Sequence, residues 1–377
     1  MIPTRLHGVI DYAVSAALFG LSTSRALPTP VRRVLATAGA GHVSYSVLTD
    51  YEGGAYPALT MREHLALDAA AAAAICGAGL LMRRQPAGAR ALLIGIGLAE
   101  LAVVAASSAT PVSGPGQDAG PAGPLLGHDE ATAADQVGYP PLDTPKPVAE
   151  DVFVVDSLLP GMLGAVLPVR MTVIRLPDGS LLLHSPTRFS HPLKQKLEEL
   201  GPILHLVAPS IAHWQFLEAW QRACPGAITW AAPGLRERSQ VRRSGVRLDH
   251  DLHEAPPLTW GDAMAMVTVE GGMGFHEVAL FHRPTRTLML TDLAMRLEAP
   301  KVPAPLRPLI RMFGTMAPDS MPPPYLRAVV KLRRQEAAEA AWRLLDLQPE
   351  RVIFAHGRWF ERDGAAELRH SLRWLLG

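Results

Sequence analysis

The chain is poor in cysteine, in net charge and, over its first 110 residues, in charge of either sign. Its two cysteines, Cys76 and Cys224, lie in different halves. That excludes a disulfide framework and a cysteine-based zinc site. A formal net charge of +1 gives no field to hold a polyanion, so no nucleic-acid partner is expected. Ser210 stands outside any Gly-x-Ser-x-Gly pattern, and a serine hydrolase is not supported. Behind Arg5 there is no short apolar core closed by an Ala-x-Ala cleavage site. The first helix is therefore read as retained membrane helix rather than removed signal. What is present is 377 residues, 48% hydrophobic and 19% charged, enough for two or more domains. Long Ala/Leu/Val/Ile runs fill residues 1–110, and the remainder reads as an ordinary soluble domain.

Residues 1–110 read as a four-helix transmembrane bundle. The apolar segments are Val9–Ser24, Val34–Leu48, His64–Met82 and Ala91–Ala109. A span needs about 20 mostly apolar residues. The third and fourth segments have them; the first two reach that length only with their polar flanks. An internal repeat organises the four. Arg5-x-His7-x-x-x-Asp11-x-Ala13 recurs as Arg62-x-His64-x-x-x-Asp68-x-Ala70, Gly20 matches Gly77, and Arg33 matches Arg90. Each unit is a helical hairpin, and two hairpins stand in tandem. In this the half resembles the small SPW-repeat membrane proteins, although the Ser-Pro-Trp signature is absent.

A His and an Asp four residues apart share one helix face. In one reading His7/Asp11, His64/Asp68, His42 and Glu100 meet between the helices as a metal, haem, quinone or proton site, because ionisable groups in a span face the bundle interior. In the other, the pairs sit at helix starts near the membrane surface and hold the helices together. Arg25, Arg32 and Arg33 mark the first connection and Arg83, Arg84 and Arg90 the third. The positive-inside rule places both in the cytoplasm. The expectation is a multi-pass protein of a bacterial inner membrane, with the lipid bilayer as partner and an extracytoplasmic C-terminal domain.

Residues 111–150, rich in Pro, Gly, Ala and Asp, read as a flexible linker. Within it, His128-Asp129-Glu130 reads as a solvated charge cluster. Residues 151–377 read as α/β. Strands are expected at Val152–Val155, Arg170–Leu176, Ser180–His184, Ile203–Val207, Ile228–Ala231, Met264–Val269, Glu277–His282, Thr287–Thr291 and Arg351–Ala355. Helices are expected at Pro192–Leu200, His213–Ala223, Gln335–Leu345 and Ala365–Leu376. Strand-rich halves, each finished by helices, suit an αβ/βα sandwich of two sheets flanked by helices.

Three of these strands deliver a polar residue at or beyond their C-terminal ends. Arg351–Ala355 is followed by His356 and Gly357, Thr287–Thr291 by Asp292, and Ile203–Val207 by a loop bearing His213. If the three ends converge, they make a site of two histidines and one carboxylate. Such a set holds one Zn²⁺, Fe²⁺ or Mn²⁺ with positions left open.

The stretches Leu181–Pro186, Ala208–Trp214, Glu277–Asp292 and Val352–Gly357 resemble the metallo-β-lactamase superfamily. They are closest to an uncharacterised bacterial branch of it, a domain of unknown function. The resemblance covers residues ~150–377 and implies a metal-dependent hydrolase. By position it makes His276 the later metal histidine, Asp292 the bridging carboxylate and His356 the final histidine. The superfamily motif His-x-His-x-Asp-His is reduced: with His213 in the last place, the others are Ala208, Ser210 and Ala212. The resulting expectation is a metal set of His213, His276, Asp292 and His356, one ion per chain, with Asp292 and His213 in catalysis. The substrate class is an ester, lactone, amide or phosphoester. His184 is an alternative fourth ligand or a support behind the site.

Other residues read more plainly. His282 beside a turn reads as a surface histidine and His205 as a core one. Trp214, Trp220, Trp230 and Trp260 read as core, and Cys224 has no base beside it. The proline-rich segment Ala299–Tyr325 reads as a lid, a bilayer-dipping loop or a packed excursion. A different function also fits: an inactive sandwich that binds a ligand and is coupled to the membrane half.

Overall fold

The structure is a computed structural model that describes residues 2, 4–51, 54, 59–108, 136–160, 166–253, 255–302 and 307–377. The motif His128-Asp129-Glu130 lies outside the described residues. The chain divides into two compact units, Met1–Ala119 and Gly120–Gly377.

The first unit is four helices: α1 (Thr4–Thr23), α2 (Thr29–Val47), α3 (Met61–Leu81) and α4 (Ala87–Ala106). Thr60 starts α3 with a capping box, its side chain accepting from the Glu63 amide while Glu63 accepts from the Thr60 amide. α1 packs on α2 and α3 on α4, giving the two hairpins. The repeat extends to the buried faces. His7, Asp11, Ser15 and Leu18 of α1 are matched by His64, Asp68, Ala72 and Ile75 of α3. Val31, Leu35, Gly39 and His42 of α2 are matched by Ala89, Leu93, Gly97 and Glu100 of α4. The second matching is displaced by one residue relative to the first, so Arg90 corresponds to Arg32 rather than to Arg33. Gly97 is required by close approach: a Cβ there would lie 2.4 Å from the Cys76 Sγ and 2.5 Å from the Ala72 carbonyl oxygen.

Among the described residues two helices, α3 and α4, are long and apolar enough to cross a bilayer. A four-span bundle asks more than this. α1 and α2 carry too many polar residues, Arg32 and Arg33 among them, to reach the same apolarity.

The second unit is mixed α/β. A seven-stranded sheet runs in chain order: β1 (Lys146–Ala149), β2 (Val152–Pro160), β3 (Val166–Arg175), β4 (Leu181–His184), β5 (Ile203–Ala208), β6 (Ile228–Ala231) and β7 (His250–Asp251). β1 to β4 are antiparallel and β4 to β7 parallel. A four-stranded sheet has the order β11 (Arg351–Ile353), β10 (Thr287–Met289), β9 (His276–His282), β8 (Met264–Glu270).

Strand alternation sorts the core into layers. Val173, Leu181, Leu183, Leu206 and Ala208 face one way, into a cluster with Leu193, Leu197 and Trp220 of helices α5 (His191–Glu198) and α6 (Leu217–Ala223). Their neighbours Ile174, Leu182 and Val207 face the other way. There they meet Met264, Met266, Val278, Leu280 and Met289 of the second sheet. Two short helices follow, α7 (Ser239–Arg243) and α8 (Arg307–Met312), then α9 (Pro324–Lys331). α10 (Arg334–Asp346) packs on β8 and α11 (Gly364–Ser371) on β11, before the closing α12 (Arg373–Leu376).

Several local expectations differ from the structure. β1 lies in the stretch read as linker, where a short strand containing Pro147 suits only a sheet edge. β2 continues past Val155 because Asp156 and Ser157, which interrupt the apolar run, stay paired with Arg170 and Val169 of β3. α6 begins at Leu217 rather than at His213. His282 is buried, not on the surface, because it closes β9 between Met264 of β8 and Thr287 of β10, and its Nδ1 bonds Thr285 Oγ1 at 2.8 Å.

Candidate metal centre

Parallel pairing builds the centre. β10 and β11 run side by side with Met289 opposite Ile353. Each chain continues three residues further, to Asp292 and to His356. The backbone keeps the two in step, since Leu290 donates to the Ile353 carbonyl and Ala355 to the Thr291 carbonyl. The third group comes from the other sheet. Beyond β5, the Val278 amide donates to the Pro209 carbonyl at 2.7 Å, and Ser210 bridges to Glu277 of β9. This ties the loop carrying His213 to the second sheet.

The three side chains converge. His213 Nε2 lies 3.3 Å from Asp292 Oδ2, and His356 Nε2 lies 3.4 Å from Asp292 Oδ1. One donor atom from each residue falls within 4.8 Å of the others. Asp292 and His356 are buried, and His213 is partly so. A metal–ligand distance of about 2.1 Å gives a tetrahedral edge of about 3.4 Å, so this donor set fits a divalent ion. The rings are held for that role. His356 Nδ1 donates to the Pro168 carbonyl at 2.8 Å. A carbonyl only accepts, so the neutral ring presents a bare Nε2 to the centre. His213 Nδ1 bonds Ser185 Oγ at 2.7 Å, again leaving Nε2 inward.

Supporting groups fix the backbone. Glu277 is fully buried, and its carboxylate accepts from the amides of Thr291, Asp292 and Leu293. It therefore shapes the turn that carries Asp292. Burial and the Asp292 charge push its carboxyl up to about 7, while the Thr291 and Asp292 amides pull the other way. Burial also raises Asp292, but the His213 and His356 rings more than offset this and hold it well below the usual range. Arg170 of β3 is buried and donates to the carbonyls of Phe354 (2.9 Å) and Gly357 (2.8 Å), on both sides of His356. Its guanidinium is paired with Asp156 at 2.6 Å, and Lys146 pairs with the same carboxylate at 2.5 Å. Gly357 has φ +87°, and a Cβ there would sit 2.1 Å from the Arg296 carbonyl oxygen. Glycine is thus required directly after the ligand.

His276 stands apart from the converging three. It begins β9 with its Nδ1 beside Gly234, and that nitrogen has no hydrogen-bond partner. His184 is buried behind Ser185. Burial, with the neighbouring His213 ring adding to it, pushes its ring down to about 3, the Val278 backbone opposing. His205 accepts from Trp230 Nε1 at 3.1 Å inside the core. Trp214, Trp220, Trp230 and Trp260 are buried. Cys224 is buried as well, and burial raises its thiol. Within Ala299–Tyr325, Val302, Thr315, Met316 and Ser320 are buried, so these parts of the segment are packed. Glu277, Ser185 and Arg170 were not singled out from sequence. A lone acid heading an apolar strand was the one signal for Glu277.

Residues 150–309 match the family model of a domain of unknown function (DUF4336). No curated protein matches the chain. Its structural neighbours are proteins of the metallo-β-lactamase fold. A metallo-beta-lactamase from Pontibacter korlensis is 16% identical, with TM-score 0.43, over 61% of this chain and 97% of that one. The metallo-beta-lactamase FIM-1 from Pseudomonas aeruginosa, in its mono-zinc form, is 15% identical, with TM-score 0.41, over 60% and 92%. The metal-soaked Flv1 flavodiiron core from Synechocystis sp. PCC6803 is 13% identical, with TM-score 0.45, over 62% and 60%.

Proposed function

We propose that the second unit is a metal-dependent hydrolase-like domain holding one divalent ion on His213, Asp292 and His356, in a chain anchored to a membrane by its helical half. The observation that carries the reading is the convergence of those three side chains, each ring fixed through Nδ1 so that Nε2 points at one carboxylate. Three protein donors leave coordination positions open, the arrangement of catalytic rather than structural sites. A bound ion would supply Lewis acidity for hydrolysis of an ester, lactone, amide or phosphoester. Within the protein, Asp292 orients both rings, Glu277 keeps the Asp292 turn in place, and His184, neutral at physiological pH, lies behind without adding charge. Membrane anchoring is supported by α3 and α4: only about a quarter of each apolar stretch is buried within the protein (28% and 22%). The core helix of a soluble protein would hide most of it.

The test is metal content by mass spectrometry on the full chain, before and after reconstitution with Zn²⁺, Mn²⁺ or Fe²⁺. The His213→Ala/His356→Ala variant is expected to carry about one ion fewer per chain. It is also expected to lose turnover on a panel of esters, lactones, amides and phosphoesters. Equal metal in both proteins would overturn the proposal and leave ligand binding by an inactive sandwich as the reading to pursue.

A further inference from the structure

The helical unit contains a second convergence of donors, drawn from α1, α2 and α3. His7 Nε2 and His64 Nε2 lie 3.1 Å apart. His7 Nε2 is 3.2 Å from Asp11 Oδ1 and 3.1 Å from Asp68 Oδ2. His64 Nε2 is 3.1 Å from Asp11 Oδ2 and 3.1 Å from Asp68 Oδ2. His42 Nε2 completes the group at 3.6 Å from Asp11 Oδ1 and 3.5 Å from Asp68 Oδ1. All five residues are buried.

Proton counting separates an ion-pair network from a cation site. Ser107 Oγ donates its one proton to the Val103 carbonyl at 2.6 Å, so its 2.7 Å contact with His7 must be donated by His7 Nδ1. Thr49 Oγ1 likewise donates to the Tyr45 carbonyl at 2.6 Å, so His64 Nδ1 donates to Thr49 at 2.8 Å. Both rings therefore carry Nδ1–H and turn Nε2 inward. Their two Nε2 atoms take part in the five contacts of 3.1–3.2 Å just described. With both aspartates ionised, at most two protons are available for five contacts, and two N–H groups cannot point at each other across one of them. A single cation among the donors satisfies all five. A metal–ligand distance of about 2.1 Å gives octahedral edges of about 3.0 Å and tetrahedral edges of about 3.4 Å, and the observed spacings fall in that range.

A second observation is independent of the cluster. Glu100 of α4 is buried, and neither carboxylate oxygen has a hydrogen-bond partner. It lines a cavity of about 210 Å³ together with His7, Asp11, His42 and Asp68. The rest of the wall is apolar, with Ile10, Val14 and Ile96 among it. An unpartnered buried carboxylate is costly unless it is protonated or a cation faces it, and here it stands beside the converging donors. Glu100 also occupies the place in the second hairpin that His42 holds in the first.

We infer that the helical unit binds one divalent first-row transition-metal ion through His7, His64, Asp11 and Asp68. His42 is a further donor, and Glu100 stands on the open, cavity side. The imidazole and carboxylate set suits Zn²⁺, Fe²⁺ or Mn²⁺. The two aspartates balance the charge of the ion inside an apolar surround. Ser107 and Thr49 are positioning residues that fix the two ring tautomers.

The experiment uses the full chain in detergent, with the His213→Ala/His356→Ala changes as background so that only the helical unit contributes. The protein is stripped with chelator and titrated with Zn²⁺ and Mn²⁺. Bound metal is counted, and helix melting is followed by circular dichroism. About one ion per chain and a melting temperature raised by metal are expected. Thr49→Val removes only the hydroxyl behind His64. It should fold normally and weaken metal binding roughly 10–100-fold. His7→Ala/His64→Ala should abolish binding. Two results would overturn the inference. One is a folded background protein that takes up no metal and melts identically with and without it. The other is His7→Ala/His64→Ala binding metal as the background does.

Discussion

Arg170 sits at the root of the His356 segment, and its replacement by methionine is the most direct test of how the second unit places that ligand. The residue is 3% exposed. It neutralises Asp156 and satisfies the two carbonyls that bracket His356. Methionine fills similar space but leaves Asp156 with Lys146 alone and both carbonyls without that donor. Breaking a buried ion pair by removing one partner costs about 3–5 kcal/mol. At roughly 2–4 °C per kcal/mol for a unit of this size, melting should fall by about 6–20 °C. Arg170→Lys keeps the charge but lacks the planar fork, so it should recover part of the stability without recovering metal affinity. The assay is urea unfolding followed by tryptophan fluorescence, paired with metal content. A loss below about 1 kcal/mol in Arg170→Met, with metal binding unchanged, would refute this role for β3.

Two further outcomes follow from the same supports. His184 has a folded value near 3 against an ordinary 6.5. Between those values the unfolded chain takes up a proton that the folded chain refuses, so stability falls as pH drops from about 6.5 to about 3. Replacing His184 with Leu should flatten that part of the stability–pH curve, and urea midpoints across the range would reveal an unchanged slope if the ring does not stay neutral. Gly357→Ala forces a side chain into the left-handed region and against the Arg296 carbonyl. It should cost about 1–3 kcal/mol from backbone strain alone and weaken metal binding with it, read by urea unfolding and metal titration; wild-type stability would show that the loop relaxes freely.

The strand ends were legible because an apolar run closing on a lone histidine or aspartate has few bland explanations. The sequence of Thr287–Asp292 and Arg351–Gly357 thus names two of the three converging groups. It does not show that the strands are parallel, nor that Met289 faces Ile353, and this register brings Asp292 and His356 level. The groups behind the centre were not legible. Arg170 is distant in sequence from His356 and acts on backbone carbonyls, which leave no residue signature. Pro168 contributes only a carbonyl. His282 was misread because a histidine near a turn is usually wet, whereas here Thr285 folds back onto the ring. In the helical unit the repeat was plain from His7/Asp11 and His64/Asp68. Pairing His42 with Glu100 was hidden by the one-residue displacement of the second helix in each hairpin.

Both clusters use one device: a ring is tied outward through Nδ1, and Nε2 is turned toward a shared carboxylate. What differs is charge. In the helical unit Asp11 and Asp68 would offset both charges of a divalent ion, with Glu100 on its open side, so no positive charge would be left over in an apolar surround where net charge is costly. In the second unit Asp292 alone faces the two rings, and Glu277 is already engaged with three amides. A divalent ion there would keep residual positive charge toward its open face. That charge would attract a carbonyl or phosphoryl oxygen and stabilise negative charge developing on it. On the two proposals, the donor counts suit different work: the helical set would retain an ion tightly, and the set in the second unit would act on a substrate.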